Sequence, residues 1–183
     1  MATQTTVITL DGPSGTGKST IAKLLAKALG FFYLDSGALY RALAYAVIKK
    51  NININNEDAL SQGIDTIEIK LADDGSVWCD DDDVSTAIRT EEVGMMASKI
   101  SANPLVRKRL LQLQQDQRRS PGLVTDGRDM GTVVFPDAAV KFFVTAPLKP
   151  AADAIEIDTG QMSIEQVLDE VMKIIRSRLK RVN

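Results

Sequence analysis

The sequence predicts an α/β protein: a parallel sheet wound strand-then-helix, with an inserted lobe holding a small antiparallel sheet. Three observations predict it. Short apolar runs alternate with segments of helical spacing. A glycine-rich stretch, Gly12–Ser19, joins the first run to the first helix. Between residues 51 and 83 the winding gives way to a hairpin signal.

Val7–Leu10 reads as a short buried strand. A helix follows over Ser19–Leu29, with Ile21, Leu24, Leu25 and Ala28 on one stripe and Gly30 as its stop. Phe31–Leu34 is a second buried strand. Asp35 and Ser36 open a helix over Gly37–Lys49 that closes on Lys49 and Lys50, charges the dipole favours at that end. Ile67, Ile69 and Leu71 then alternate with charged or small residues, and Asp73–Gly75 turns the chain into Val77–Cys79. Trp78 is expected to pack within this lobe. Asp80–Asp83 lacks the spacing and glycine of a calcium loop and reads as a solvated turn.

Helical spacing returns over Glu91–Ile100 and Pro104–Arg119, with Asn103 as N-cap and Pro104 at the first helical position. Leu123–Thr125, Val140–Thr145 and Ala154–Ile157 read as further buried strands. Ser163 and Gln166 form a capping box for a last helix, with Met162 and Val167 placed to staple across it. Lys173, Arg176, Arg178, Lys180 and Arg181 crowd its end, where cations suit the dipole without any nucleic-acid role.

The 183 residues suit one domain with a small inserted lobe. A net charge of −2 argues against a nucleic-acid coat. Lone Cys79 fits a reducing compartment, no apolar run is long enough to cross a bilayer, and Met1–Thr6 does not read as a signal peptide. A cytoplasmic location is expected. The chain has no histidine, which excludes a histidine base, a Ser-His-Asp triad and His-ligated zinc. Its chemistry must run on Lys, Arg, Asp, hydroxyls and backbone.

Gly12-Pro13-Ser14-Gly15-Thr16-Gly17-Lys18-Ser19 satisfies the phosphate-loop pattern G-x-x-x-x-G-K-[ST] in full, between a strand and an amphipathic helix. Its glycines let successive N–H groups surround a phosphate, and the helix N-terminus adds its positive end. Lys18 would reach the β- and γ-phosphates of ATP, and the Ser19 hydroxyl would ligate Mg²⁺. Thr20 completes the expected ATP-binding segment. Asp126, after the Leu123–Thr125 strand, is either an acid of the magnesium's outer shell or an Asx-turn residue.

Two more clusters stand where strands end, the edge on which open α/β sheets bind ligands. They are Asp35-Ser36-Gly37-Ala38-Leu39-Tyr40-Arg41 and Asp126-Gly127-Arg128-Asp129-Met130-Gly131. A bland alternative makes Arg41 a solvated helix charge and Arg128–Asp129 a surface ion pair. Together with Asp11–Thr20, the stretches Leu34–Arg41 and Gly122–Pro136 resemble the bacterial cytidylate kinases, a family of nucleoside monophosphate kinases. The resemblance implies the three-layer P-loop kinase fold, with a core over about 1–35 and 103–183 and a monophosphate-binding insertion over about 36–102. It also implies ATP-dependent phosphoryl transfer to CMP or dCMP. Small size and the fit to a closing kinase point to a monomer, and composition to no nucleic-acid or membrane partner. The family's acceptor-binding residues fall on Ser36, Arg41, Ser98, Arg107, Arg128 and Asp129, with Tyr40 close by; Lys18, Arg41 and Arg128 are the expected catalytic cations.

The residue chemistry agrees. A phosphate acceptor is largely ionised at neutral pH and needs no general base. Its difficulty is repulsion from the γ-phosphate, which Arg41, Arg107 or Arg128 can neutralise bidentately. Cytosine presents an amino donor at N4 beside acceptors at N3 and O2. Asp129 would accept from N4, and Arg107 and Ser98 would serve the acceptors. Uracil would set an acceptor against that carboxylate, so cytidine monophosphate should be preferred.

One place departs from the pattern. Val140–Thr145 and Ala154–Ile157 are too close for a parallel crossover, which needs roughly a dozen residues. The resemblance implies a helix and an arginine-rich lid there, and none lies between Ala146 and Pro147. The expectation is that these two residues are not true neighbours; otherwise the protein lacks its lid arginines. Competing readings are a kinase for adenylate, thymidylate or shikimate, and a nucleotide-hydrolysing switch. The hairpin and Arg128–Asp129 speak against the former. The chain has no Asn-Lys-x-Asp guanine motif to support the latter.

Overall fold

The computed structural model describes residues 5–72 and 75–145, and beyond them Ser163, Gln166, Asp169, Glu170, Val171 and Lys173. The chain divides into two units, Met1–Ala146 and Pro147–Asn183.

In the first unit the apolar runs form the expected parallel sheet, although the strand over residues 140–143, expected to be buried, is exposed along its length. Its strands are β1 (Thr6–Asp11), β2 (Phe32–Asp35), β6 (Gly122–Gly127) and β7 (Val140–Phe143), in spatial order β2-β6-β1-β7. Alternation along the strands serves two layers. Ile8, Leu10 and Val124 face α1 (Lys18–Leu29), whereas Val7, Leu34 and Leu123 join a larger core with α2 (Ser36–Lys49) and α5 (Pro104–Gln115). Because all four strands are parallel, Asp11, Asp35, Gly127 and Phe143 end on the same edge.

Between α2 and α5 the chain forms α3 (Glu57–Asp65), the strands β3 (Ile69–Leu71), β4 (Val77–Cys79) and β5 (Asp82–Asp83), and α4 (Glu91–Ile100). The three strands form a separate antiparallel sheet. Helix starts follow the chemistry read from the sequence. Asp35 accepts the Ala38 N–H at 3.0 Å and Asn103 that of Leu105 at 2.9 Å, while Gly30 closes α1 at φ 65°.

Several expectations need correction. The apolar stripe on α1 is not its buried face: Ala22 and Ala26 are buried, and Ile21 and Leu24 are largely exposed. Small side chains let the helix lie close on the sheet. Helix α3 interrupts a stretch read only as a hairpin region, burying Leu60 and Ile64. Asp82 and Asp83 are a short third strand rather than a plain turn. Trp78 points outward, its indole donating to Ser76 Oγ at 3.1 Å, because the alternation buries its neighbours Val77 and Cys79. Helix α5 ends at Gln115, short of Arg119.

In the second unit, Ser163 and Gln166 form the expected capping box: the Ser163 N–H donates to Gln166 Oε1 at 2.7 Å, and the Gln166 N–H to Ser163 Oγ at 3.3 Å. The Met162–Val167 staple, the Ala154–Ile157 strand and the Ala146–Pro147 junction lie outside the described residues.

Candidate active site

The phosphate loop springs from the end of β1. At Gly12, φ 149°, an added Cβ would fall 2.1 Å from the Val144 carbonyl oxygen, so only glycine lets the end of β7 approach. Gly15 and Gly17 take φ near +80°, and Gly17 leads into α1 with no side chain capping it. The helix's first N–H groups are thereby left for a ligand. Lys18 lies back across its own loop, its ammonium donating to the Pro13 carbonyl at 3.0 Å, which Thr16 Oγ1 also approaches at 3.1 Å.

Asp126 lies at the end of β6 and is 3% exposed. Its Oδ2 accepts from Ser19 Oγ at 2.6 Å and its Oδ1 from Tyr33 Oη at 2.5 Å. Of the two sequence readings, the Asx turn therefore loses: the side chain is engaged by hydroxyls from α1 and β2. Burial pushes this carboxyl above the usual range, against the opposing pull of both hydroxyls. Burial also raises the Tyr33 phenol, assisted by the charge of Asp35.

The second strand-end loop is held from below by a residue that the sequence reading passed over. Asp11 accepts the N–H groups of Met130 and Gly131 at 2.8 and 2.9 Å. This anchors the π-helical turn Met130–Val134 and sets the two residues before it. Arg128 reaches the phosphate loop, donating to Ser14 Oγ at 2.9 Å. Asp129 is ion-paired with Arg107 of α5, which keeps the guanidinium's pKa raised. The adjacent Arg128–Asp129 pairing of the bland alternative does not form; each side chain finds a distant partner.

Arg41 is likewise not a solvated charge. Its Nη1 donates to the Ile88 carbonyl at 3.2 Å, and an added Cβ on Gly94 of α4 would stand 3.0 Å from that nitrogen. Ser36 is buried and donates to Oε1 of buried Gln114 at 2.7 Å. Ser98 Oγ donates to its own helix at the Gly94 carbonyl, 3.1 Å away.

These groups meet around one cavity of about 620 Å³. Ser14, Gly15, Lys18 and Ser19 line it together with Asp126, Ser36, Tyr40, Arg41, Ser98, Arg107, Arg128 and Asp129, and Arg89 and Ser101 line it as well. Gly12, Pro13, Thr16 and Gly17 shape the loop without lining the cavity, and Thr20, within α1, does not line it either. Among the described residues no three acidic or cysteine side chains gather to hold a metal. The donor set nonetheless fits magnesium: Ser19 gives its proton to Asp126 and keeps oxygen lone pairs for a hard cation, whose other ligands would be phosphates and water. Sequence reasoning missed Asp11, Tyr33, Gly94 and Gln114. Only Gly94, a glycine inside a helical pattern, carried a local signal.

A glycine-lysine phosphate loop that shares one cavity with several arginines defines a P-loop phosphotransferase. Comparison with known proteins narrows the class. The family model described as cytidylate kinase matches residues 8–147, and the chain belongs to the cytidylate kinase family. A cytidylate kinase of Pseudomonas fluorescens (strain Pf0-1) is 42% identical over 219 aligned positions, covering 94% of this chain and 96% of its own. One of Vibrio vulnificus (strain CMCP6) is 39% identical over 224 positions, covering 98% and 99%. The chain is accordingly an ATP-dependent phosphotransferase. Both alignments are longer than its 183 residues, so these relatives carry residues that have no counterpart here.

Proposed function

We propose that this chain transfers the γ-phosphate of MgATP to CMP or dCMP, giving CDP or dCDP, in pyrimidine nucleotide metabolism. The single observation that carries the reading is the shared cavity, which Lys18, Arg41 and Arg128 all line. In this reading Gly12–Thr20 wraps the triphosphate, Lys18 neutralises its β- and γ-phosphates, and Ser19 holds magnesium, which would spread charge off the transferring group. Arg41 and Arg128 cradle the acceptor phosphate against repulsion, with Ser36 and Tyr40 beside them. Asp129, Arg107 and Ser98 read the cytosine edge. The Arg107–Asp129 pair supports this assignment because it presents a fixed acceptor and donor together.

The functional division has a core over about 1–35 and 103–183 and an acceptor lobe over about 36–102. The protein works as a cytoplasmic monomer on nucleotides alone, without nucleic-acid or membrane partners. The residues its relatives carry and it lacks belong between Ala146 and Pro147. Two facts support that placement: the family match stops at residue 147, while alignments covering 94% of the chain or more continue past it. The Val144 N–H donates to Asp11 at 2.7 Å, so the chain leaves β7 beside the phosphate loop. Residues inserted after it would stand over the transferring phosphate.

The test is ADP formation from ATP with and without CMP. ADP release that depends on CMP, and is slower with UMP, is expected; equal release without any acceptor would favour a nucleotide-hydrolysing switch. Asp129→Ala should shrink the preference for CMP over UMP by about tenfold or more.

A further inference from the structure

Tyr33 does not itself line the cavity, but its hydroxyl bonds Asp126, which does, and its surroundings give it a task. β2 runs beside β6 with Tyr33 level with Val124 and Asp35 level with Asp126, so the phenol lies on the face covered by α1. From above, the Lys23 ammonium of α1 sits 5.5 Å from its ring centre. The ring thus spans from the packed layer to the nearly buried Asp126 carboxylate. There each oxygen accepts one hydroxyl: Oδ1 takes Tyr33 at 2.5 Å, and Oδ2 takes Ser19 at 2.6 Å.

We infer that Tyr33 is a positioning residue for magnesium, acting through Asp126 and Ser19. A carboxylate held at one oxygen can turn about its last bond; one held at both cannot. With Oδ1 pinned by Tyr33, Oδ2 stays where it takes the Ser19 proton, and Ser19 presents oxygen lone pairs rather than hydrogen to a cation. Removing the phenolic hydroxyl leaves Oδ1 buried without that donor and frees the carboxylate to rotate. The Ser19 proton is then no longer confined, and the hydroxyl becomes a poorer ligand. Partners one step removed from a metal act in this way, typically changing its affinity about 10- to 100-fold. Phenylalanine at this position would retain the ring and its contacts with Val124, so simple packing predicts no effect on magnesium.

The inference rests on the reading of Gly12–Ser19 as the MgATP site. The experiment is ATP binding by calorimetry to the full chain, in EDTA and across a magnesium titration, for wild type, Tyr33→Phe, Asp126→Asn and the double variant. Tyr33→Phe should raise the magnesium concentration for half-maximal strengthening of ATP binding about tenfold, leaving ATP affinity in EDTA and CMP affinity unchanged. In the Asp126→Asn background the Tyr33 change should add little. An unchanged magnesium midpoint, a uniform loss of ATP and CMP affinity, or a full Tyr33 effect without Asp126 would each overturn it. Wild type that binds ATP without any magnesium dependence would instead overturn the site reading itself. Should Tyr33→Phe not fold, Asp126→Asn beside wild type decides: an unshifted midpoint there leaves Tyr33 nothing to act through and overturns the inference.

Discussion

Arg41 owes its direction to a neighbour without a side chain. Gly94 leaves room for its guanidinium, and the Ile88 carbonyl fixes one nitrogen at 3.2 Å. Gly94→Ala should therefore separate two quantities that usually move together. Alanine inside a helix stabilises by about 1 kcal/mol, so the melting temperature should hold or rise. The displaced guanidinium should weaken CMP binding about tenfold, as loss of a bidentate phosphate contact would. Thermal melts run beside a CMP titration check both. The residues legible in the sequence were those in an unbroken motif or at a strand end, such as Lys18, Arg128 and Asp129. Asp11 and Tyr33 act on partners about a hundred positions away, through strand register that no local pattern encodes.

At the scale of elements, the sequence announced strands and capped helices well, because each is set by neighbours in the chain. Asp35, Asn103 and Gly30 each sit where their chemistry predicts. What it misjudged was set by packing. The burial of Ala22 and Ala26 instead of Ile21 and Leu24 reflects close approach of α1 to the sheet, which hydrophobicity alone does not rank. The acidic run Asp80–Asp83 gave no sign that it closes the small sheet. There Lys50 donates to Asp80, which also accepts the Glu68 N–H at 2.9 Å; the lysine bond, then the backbone bond, lowers the carboxyl's pKa. A depressed folded-state pKa contributes stability above the ordinary aspartate range, lost as pH falls through it towards the folded value. Asp80→Asn should lower stability near neutral pH and converge with wild type in acid; Asn also tolerates the positive φ at this position. Urea midpoints across pH test this, and two parallel curves would contradict it.

At the scale of the whole molecule, the strand ends bring three loops together. The first holds the phosphate loop, the second opens α2 with Ser36 and Arg41, and the third carries Arg128 and Asp129. In the proposed reading these loops bind both nucleotides without the residues that the relatives carry in addition. Splicing a relative's segment between Ala146 and Pro147 should raise turnover about a hundredfold by placing further donors on the transferring phosphate and excluding water. Affinity for CMP should change far less. Steady-state kinetics and equilibrium binding on the two chains separate these effects.

The central claim, that donor and acceptor share one cavity, is tested most directly without turnover. A ligand joining adenosine to cytidine through five phosphates should bind one per chain and displace both ATP and CMP, as calorimetric competition would read. Continued binding of ATP or CMP to the chain saturated with that ligand would contradict the account.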